Sequence, residues 1–254
     1  MGLDQNVGDG FDVRSLAVTY REGHSLAPHT HPWAQLIFAL SGVMSVDTDG
    51  EVWFVPPTKA VWVPANSQHR ITFKGEVAMR TLYVSGHRAE VVRRQVQTLE
   101  VSPLLRHLIE HIHALKMLDP RISAHDHLAA VLVDLIQAAP DLDLVLPRPS
   151  DARAVSLAIH LQENPTDKRV LQELASESGA SLRTMQRCFS EQTGLSLDAW
   201  RQKARLVHSF SVLVSGRTVS AAAAESGFES VSAFIAAFKR HFGITPGKIE
   251  TGGG

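Results

Sequence analysis

The sequence predicts an α+β chain of more than one domain: an all-β unit, a helical hairpin, then an all-α domain of two helix-turn-helix units. Three observations carry this expectation. Short β-branched and aromatic runs alternate with turn residues over the first ~85 residues; apolar residues recur at helical spacing from about residue 88; and the chain repeats itself beyond residue 151. With 254 residues, 44% of them apolar, the chain is long enough for two domains with real cores.

The β-rich runs are DVRSLAVTY, WAQLIFAL, VMSVDTDGEVWFV, AVWVPANSQH, RITFKG and AMRTLYVS. Thr48-Asp49-Gly50 lies between alternating runs as a hairpin turn, and Pro56, Pro57 and Pro64 bound other strands. EVVRRQVQTLEVSPLLRHLIEHIHALKML and AHDHLAAVLVDLIQAA then read as two helices in a hairpin. Their stripe of Leu104, Leu105, Leu108, Ile112, Leu128, Leu132 and Leu135 is wider than the β unit alone needs, so the segment is expected to form a homodimer surface. From Pro140 to Ser150 the prolines prevent a helix, and the stretch reads as a linker. The expected boundaries are 1–86 for the β unit, 87–139 for the helical segment, 140–151 for the linker and 152–250 for the C-terminal domain.

Within that last domain ASESG at 175–179 recurs as AAESG at 223–227, and Ser181, Phe189 and Gly194 recur as Ser230, Phe238 and Gly243. Each copy is a short helix, a turn at Gly179 or Gly227, an N-capping serine, and a second helix closed by Gly194 or Gly243. In the first copy Leu182, Met185 and Phe189 make the buried stripe and leave Arg183, Gln186, Arg187 and Ser190 outward. Arginine can bond guanine O6 and N7, and glutamine adenine N6 and N7, so this face has the chemistry to read bases. The second copy buries Val231, Phe234 and Phe238 and presents Ser232, Ala233, Ala236, Lys239 and Arg240, a face with few donors that suits thymine methyls or phosphate. Charge is divided accordingly. Residues 1–150 hold 13 Lys and Arg against 16 Asp and Glu, residues 151–254 hold 12 against 10, and the basic excess gathers at Arg183, Arg187, Arg201, Lys203, Arg205 and Arg217.

Other classes recede. No apolar run approaches the roughly 20 residues of a membrane span, and MGLDQNVGDG has neither a basic nor an apolar leader region, so a cytoplasmic protein without membrane contact is expected. The single cysteine, Cys188, rules out an internal disulfide and reads as a small core residue.

LASESGASLRTMQRCFSEQTG, LDAWRQKARLVHSFSVLVSG and above all GFESVSAFIAAFKRHFGITPGK closely resemble the DNA-binding domain of the AraC/XylS family of bacterial transcription regulators, over about residues 152 to 248. The resemblance implies a double-stranded DNA operator as partner, with the two recognition helices entering successive major grooves. It assigns base contact to Arg183, Gln186 and Arg187, and to Ser232, Ala233 and Ala236. Where the family commonly has an aromatic residue just after TPGK, Ile249-Glu250-Thr251-Gly-Gly-Gly stands here, and the tail reads as truncated or as an engineered scar.

The N-terminal half resembles the cupin sensor domain, a β-barrel, carried by one branch of that family. Gly23, His29, His31, Gln35 and Gly42 fit the spacing of the first cupin motif with Gln in place of Glu, and Pro64 to His69 fits the second. The resemblance implies that His29, His31, Gln35 and His69 hold one divalent transition metal, zinc, nickel, copper or iron, inside the barrel. HPWAQLIFALSGVMSV and PPTKAVWVPANSQHRI further resemble a subgroup that includes repressors of neighbouring transporter genes, among them a nickel-linked drug-efflux regulator. Two other functions stay open: a metal-dependent cupin dioxygenase, disfavoured by neutral Gln35 and the fused DNA-binding domain, and a regulator binding an apolar effector without metal. His107, His111, His113, His125 and His127 read as solvated helix faces.

Overall fold

The structure, a computed structural model, describes residues 10–57 and 59–249; the tail from Glu250, with its reading as truncated or appended, lies outside the described residues. Two compact units divide the chain, one running to Leu144 and the other from Val145, with Gly50–Val52 grouped in the second.

The first unit contains β1 (Val13–Tyr20), β2 (Ser25–His29), β3 (Ala34–Thr48), β4 (Glu51–Val55), β5 (Lys59–Val63), β6 (His69–Val84), the short α1 (Gly86–Ala89), β7 (Gln97–Glu100), α2 (Pro103–Leu115), β8 (Met117–Leu118), α3 (Ser123–Ala138) and β9 (Asp141–Leu142). Along the sheet the order is β8-β1-β6-β3-β5-β7-β9, with β2 also on β6 and β4 also on β3. Runs that read as separate strands prove continuous. WAQLIFAL and VMSV lie in β3, RITFKG and AMRTLYVS in β6, and the two pair from Ala34 opposite Val84 to Thr48 opposite His69, with register shifts between Ala39 and Val43. Gly42 occupies that irregularity at φ +77°, where an added Cβ would stand 2.2 Å from the Glu76 carbonyl oxygen. Only glycine permits so close a crossing, and the bulge lets each long strand bend.

Alternation then separates two faces. Leu36, Phe38, Ala60, Trp62, Leu82 and Val84 join Leu105, Ile109, Ile112, Leu132 and Ile136 in one core beneath the helices. The residues between them, including Gln35, Ile37, Val61, Thr81 and Tyr83, face the other side.

Three expectations need correction. Beyond the single turn of α1 the helical reading of 90–102 fails: the Arg93 guanidinium donates to the Gln137 carbonyl at the end of α3, and Gln97–Glu100 is a strand on β5 with Leu99 in the core. Burial on the sheet outweighs helical periodicity there, and α2 starts at Pro103, capped by Ser102 Oγ accepting from the Leu105 amide. The linker is not free chain either, since β9 and β10 (Val145–Pro147) form there and Leu144 and Leu146 are buried. Finally, Leu105, Leu108, Ile112 and Leu132 lie in the core, Leu128 and Leu135 pack against it, and only Leu104 of the stripe is exposed.

After β10 the second unit is helical: α4 (Ala152–Glu163), α5 (Leu171–Glu177), α6 (Leu182–Thr193), α7 (Leu197–Val214), α8 (Val219–Glu225), α9 (Val231–Phe242) and a 3-10 turn at Pro246–Lys248. The repeat is visible in the backbone. Ser181 and Ser230 cap α6 and α9, and Gly194 and Gly243 close them in the left-handed conformation. Cys188 is a buried core residue of α6, as expected.

Candidate functional site

In the first unit the structure brings His29, His31, Gln35 and His69 together, although not along one unbroken strand. His29 ends β2 opposite His69 on β6, whereas His31 lies beyond β2 and Gln35 is the second residue of β3. The His31 carbonyl accepts from the Asn66 amide at 2.8 Å, which ties the two histidine-bearing segments together. Asn66 holds φ +61° where the second cupin motif has glycine, a substitution asparagine tolerates.

All three imidazoles are oriented alike. His29 Nδ1 donates to the Ala27 carbonyl at 2.8 Å, His31 Nδ1 to Trp33 at 2.7 Å and His69 Nδ1 to Ser67 at 2.9 Å. A carbonyl only accepts, so each Nδ1 carries the proton, and in a neutral ring Nε2 presents a lone pair. Gln35 is oriented by a second chain of bonds. The Thr81 hydroxyl donates to the Leu36 carbonyl at 3.1 Å and accepts from Gln35 Nε2 at 2.9 Å, which turns Gln35 Oε1 inward. That oxygen lies 3.1 Å from both His31 Nε2 and His69 Nε2. In neutral rings, acceptors would therefore face an acceptor at hydrogen-bond distance.

A ligand atom from each histidine lies within 4.8 Å of the others, and this is the metal-capable group among the described residues. Burial pushes the His69 pKa down to about 4, which keeps the ring neutral at pH 7. Three imidazole nitrogens and an amide oxygen fit a borderline divalent transition ion. Thr81 and Tyr83, whose ring meets His31 edge-on at 5.3 Å, support the site and were not singled out from the sequence. The strand register that sets Gln35 opposite Tyr83 and Ile37 opposite Thr81 is their signal, and it exists only in the fold. Of the helical histidines, His107 Nδ1 turns to the Pro103 carbonyl at 2.7 Å.

In the second unit Arg183, Gln186, Arg187 and Ser190 are exposed on α6, as are Ser232, Ala233, Ala236, Lys239 and Arg240 on α9. The stripes beneath are Met185, Cys188 and Phe189, and Phe234, Ala237 and Phe238; Leu182 and Val231 are half-buried. No hydrogen bond or ion pair within the described chain engages Arg183, Arg187, Lys239 or Arg240. Other members of the basic segment are occupied. Arg205 Nε donates to the Pro165 carbonyl at 2.9 Å, Arg201 donates to the Asp167 carbonyl, and Arg217 pairs with Glu225 at 2.5 Å. Ile235, which sequence reasoning passed over, is also exposed on α9.

A family described as "AraC-like ligand binding domain" matches residues 15–141, and one described as "Helix-turn-helix domain" matches 174–251. Over 220 residues the chain is 30% identical to the HTH-type transcriptional regulator NimR of Escherichia coli (strain K12), covering 87% of this chain and 80% of that one. The chain belongs to the AraC family of transcriptional regulators. As an AraC-family regulator it binds DNA through its helical domain and carries a ligand-binding domain ahead of it. This family member is also 37% identical over 125 residues to the HTH-type transcriptional regulator RipA of Corynebacterium glutamicum, covering 49% of this chain and 36% of that one. Among solved structures, that of unsaturated fatty acid bound wild-type ToxT from Vibrio cholerae strain SCE256 matches with a TM-score of 0.40 and 12% identity, over 95% of this chain and 97% of that one. No helix among the described residues is long and apolar enough to cross a membrane.

Proposed function

We propose that this regulator senses a divalent transition metal, or a small molecule bound beside one, through His29, His31, His69 and Gln35, and couples it to operator binding by α6 and α9. One observation carries the reading: with each Nδ1 turned to a carbonyl, His31 Nε2 and His69 Nε2 both face Gln35 Oε1 at 3.1 Å, where in neutral rings acceptor would oppose acceptor. Two further protons or a cation relieve that opposition, and burial of His69 disfavours the protons. Neutral imidazoles select zinc, nickel, copper or iron over magnesium and calcium. The bound ion would supply positive charge and a coordination position for an anionic or neutral effector. Within the chain, the Ala27, Trp33 and Ser67 carbonyls hold the rings in the ligating tautomer, and Thr81 holds Gln35.

On the DNA side, Arg183, Gln186 and Arg187 supply base-edge donors, with Ser190 beside them; Ser232, Ala233 and Ala236 face bases, and Lys239 and Arg240 reach phosphate. Operation in the cytoplasm, as a homodimer, on a neighbouring transporter gene completes the proposal. With the stripe largely consumed by the core, the homodimer rests on what the helical pair leaves exposed, Leu104 and Leu115 on α2 and Val131 on α3. The relatives are named as transcriptional regulators, and neutral Gln35 offers no carboxylate for dioxygenase chemistry.

Elemental analysis of freshly purified protein is expected to find one transition metal per chain, and His29→Ala with His69→Ala to abolish it together with any metal dependence of operator binding. Stoichiometric metal in that double variant would place the site elsewhere.

A further inference from the structure

The offset of 49 that relates Ser181, Phe189 and Gly194 to Ser230, Phe238 and Gly243 also sets Arg183 against Ser232, Gln186 against Ile235 and Arg187 against Ala236. Three positions that carry long donors in α6 thus carry one hydroxyl and two hydrocarbon side chains in α9. Burial holds both helices in the same rotation. Met185, Cys188 and Phe189 are buried in α6, and their counterparts at that offset, Phe234, Ala237 and Phe238, are buried in α9. Phe234 meets the Phe228 and Phe238 rings at centroid distances of 5.1 and 5.5 Å, so α9 cannot roll to bury its outer residues. Ile235 is left 37% exposed with Ala236 exposed beside it. Farther along, Lys239 and Arg240 point outward without partners among the described residues. An apolar patch next to two free cations, on the counterpart of a donor-bearing face, suits a surface of mixed charge and hydrocarbon.

We propose that α9 reads thymine: Ile235, with Ala236, packs against thymine C5 methyl groups in the major groove, while Lys239 and Arg240 hold the flanking phosphates. The methyl is the apolar group that the major-groove code offers, so an aliphatic side chain there distinguishes thymine from the other bases without a hydrogen bond. The operator half facing α6 is then specified by donors and the half facing α9 by methyl contact. Ile235 is a specificity-determining residue that motif comparison passes over. This inference rests on the reading of α6 and α9 as the recognition helices.

The test uses the full-length protein and an operator selected from random duplexes, with thymines replaced singly by deoxyuridine, which removes only the methyl. Altered base preference in Arg187→Ala identifies the α6 half. In the other half at least one replacement is expected to weaken binding about four-fold, the effect of one buried methyl. Ile235→Ser should flatten that penalty, Ile235→Val should largely retain it, and thymines of the α6 half should respond alike in all three proteins. Indifference of every thymine in the α9 half, or an undiminished penalty in Ile235→Ser, overturns the inference. An Ile235→Ser protein with the wild-type deoxyuridine profile but lost regulation would assign the patch to a protein partner and overturn it equally. Failure to select any sequence removes the recognition-helix reading itself.

Discussion

At the scale of residues, His69 couples the proposed metal site to pH. Its folded pKa of about 4 lies below the ordinary histidine value of 6.5 because burial penalises the charged ring. Between those values the unfolded chain binds the proton that the folded chain refuses, so stability is full above pH 6.5 and is lost as pH falls towards 4. For metal-free protein the expected loss is on the order of 3 kcal/mol, read as a falling thermal midpoint that is shallower in His69→Gln. Metal affinity should fall over the same direction of pH, because protonated imidazole cannot ligate. On the DNA side, Arg187 is exposed and without a partner in the described chain, so Arg187→Ala should leave the fold intact. It should weaken operator binding by about 1–3 kcal/mol and relax preference at one base pair. Titration against single-base operator variants measures both, and an unchanged profile removes Arg187 from base reading. Arg187 could be read from helical period, whereas His69 was legible through its resemblance to the second cupin motif. Thr81 could not, because its role depends on β6 lying beside β3, 46 residues away in the chain.

Among elements, the two helix-turn-helix copies look equivalent in sequence and differ in packing. Gly179 and Gly227 both take positive φ in their turns, at +81° and +72°. A Cβ at Gly179 would meet only Arg153 Cδ at 4.0 Å, whereas one at Gly227 would lie 2.3 Å from the Pro165 carbonyl oxygen. Arg205 on α7 donates to that same oxygen at 2.9 Å, so the loop after α4 is gripped between α7 and the second turn. Gly179→Ala should therefore lose about 1–2 kcal/mol through backbone strain. Gly227→Ala should lose a further ~1–3 kcal/mol through the backbone clash. Chemical denaturation of the two variants decides this, and equal losses would show that the loop yields freely. Equivalence was legible from the repeat; the asymmetry was not, because Pro165 precedes both copies and nothing local marks it as the neighbour of Gly227. The strand at Gln97–Glu100 teaches the same lesson, since its apolar spacing suits a helix and the open edge of β5 takes it as a strand instead.

For the whole molecule, the division at Leu144 and Val145 predicts that residues 145–254 expressed alone fold, bind operator with the base preference of the full chain, and ignore added metal. Gel-shift titration with and without the ion measures this, and metal sensitivity in the fragment would place a second sensor in the helical half. Composition, the change of period and the internal repeat were enough to determine a β-rich stretch followed by two amphipathic helices, an all-α domain, and two repeated helices with their outward residues. Each follows from local periodicity, which sequence carries directly because side-chain direction repeats every two residues in a strand and every 3.6 in a helix. What only the tertiary structure decided are relations across the chain. The leucine stripe expected to join two copies is instead covered by the sheet of its own chain. The expected linker is anchored by Leu144 and Leu146, buried at 0% and 1% exposure. His31 reaches His29 and His69 through Asn66 and Trp33 rather than along one strand. Such contacts are chosen by which distant surface fills a given volume, a quantity no local pattern contains.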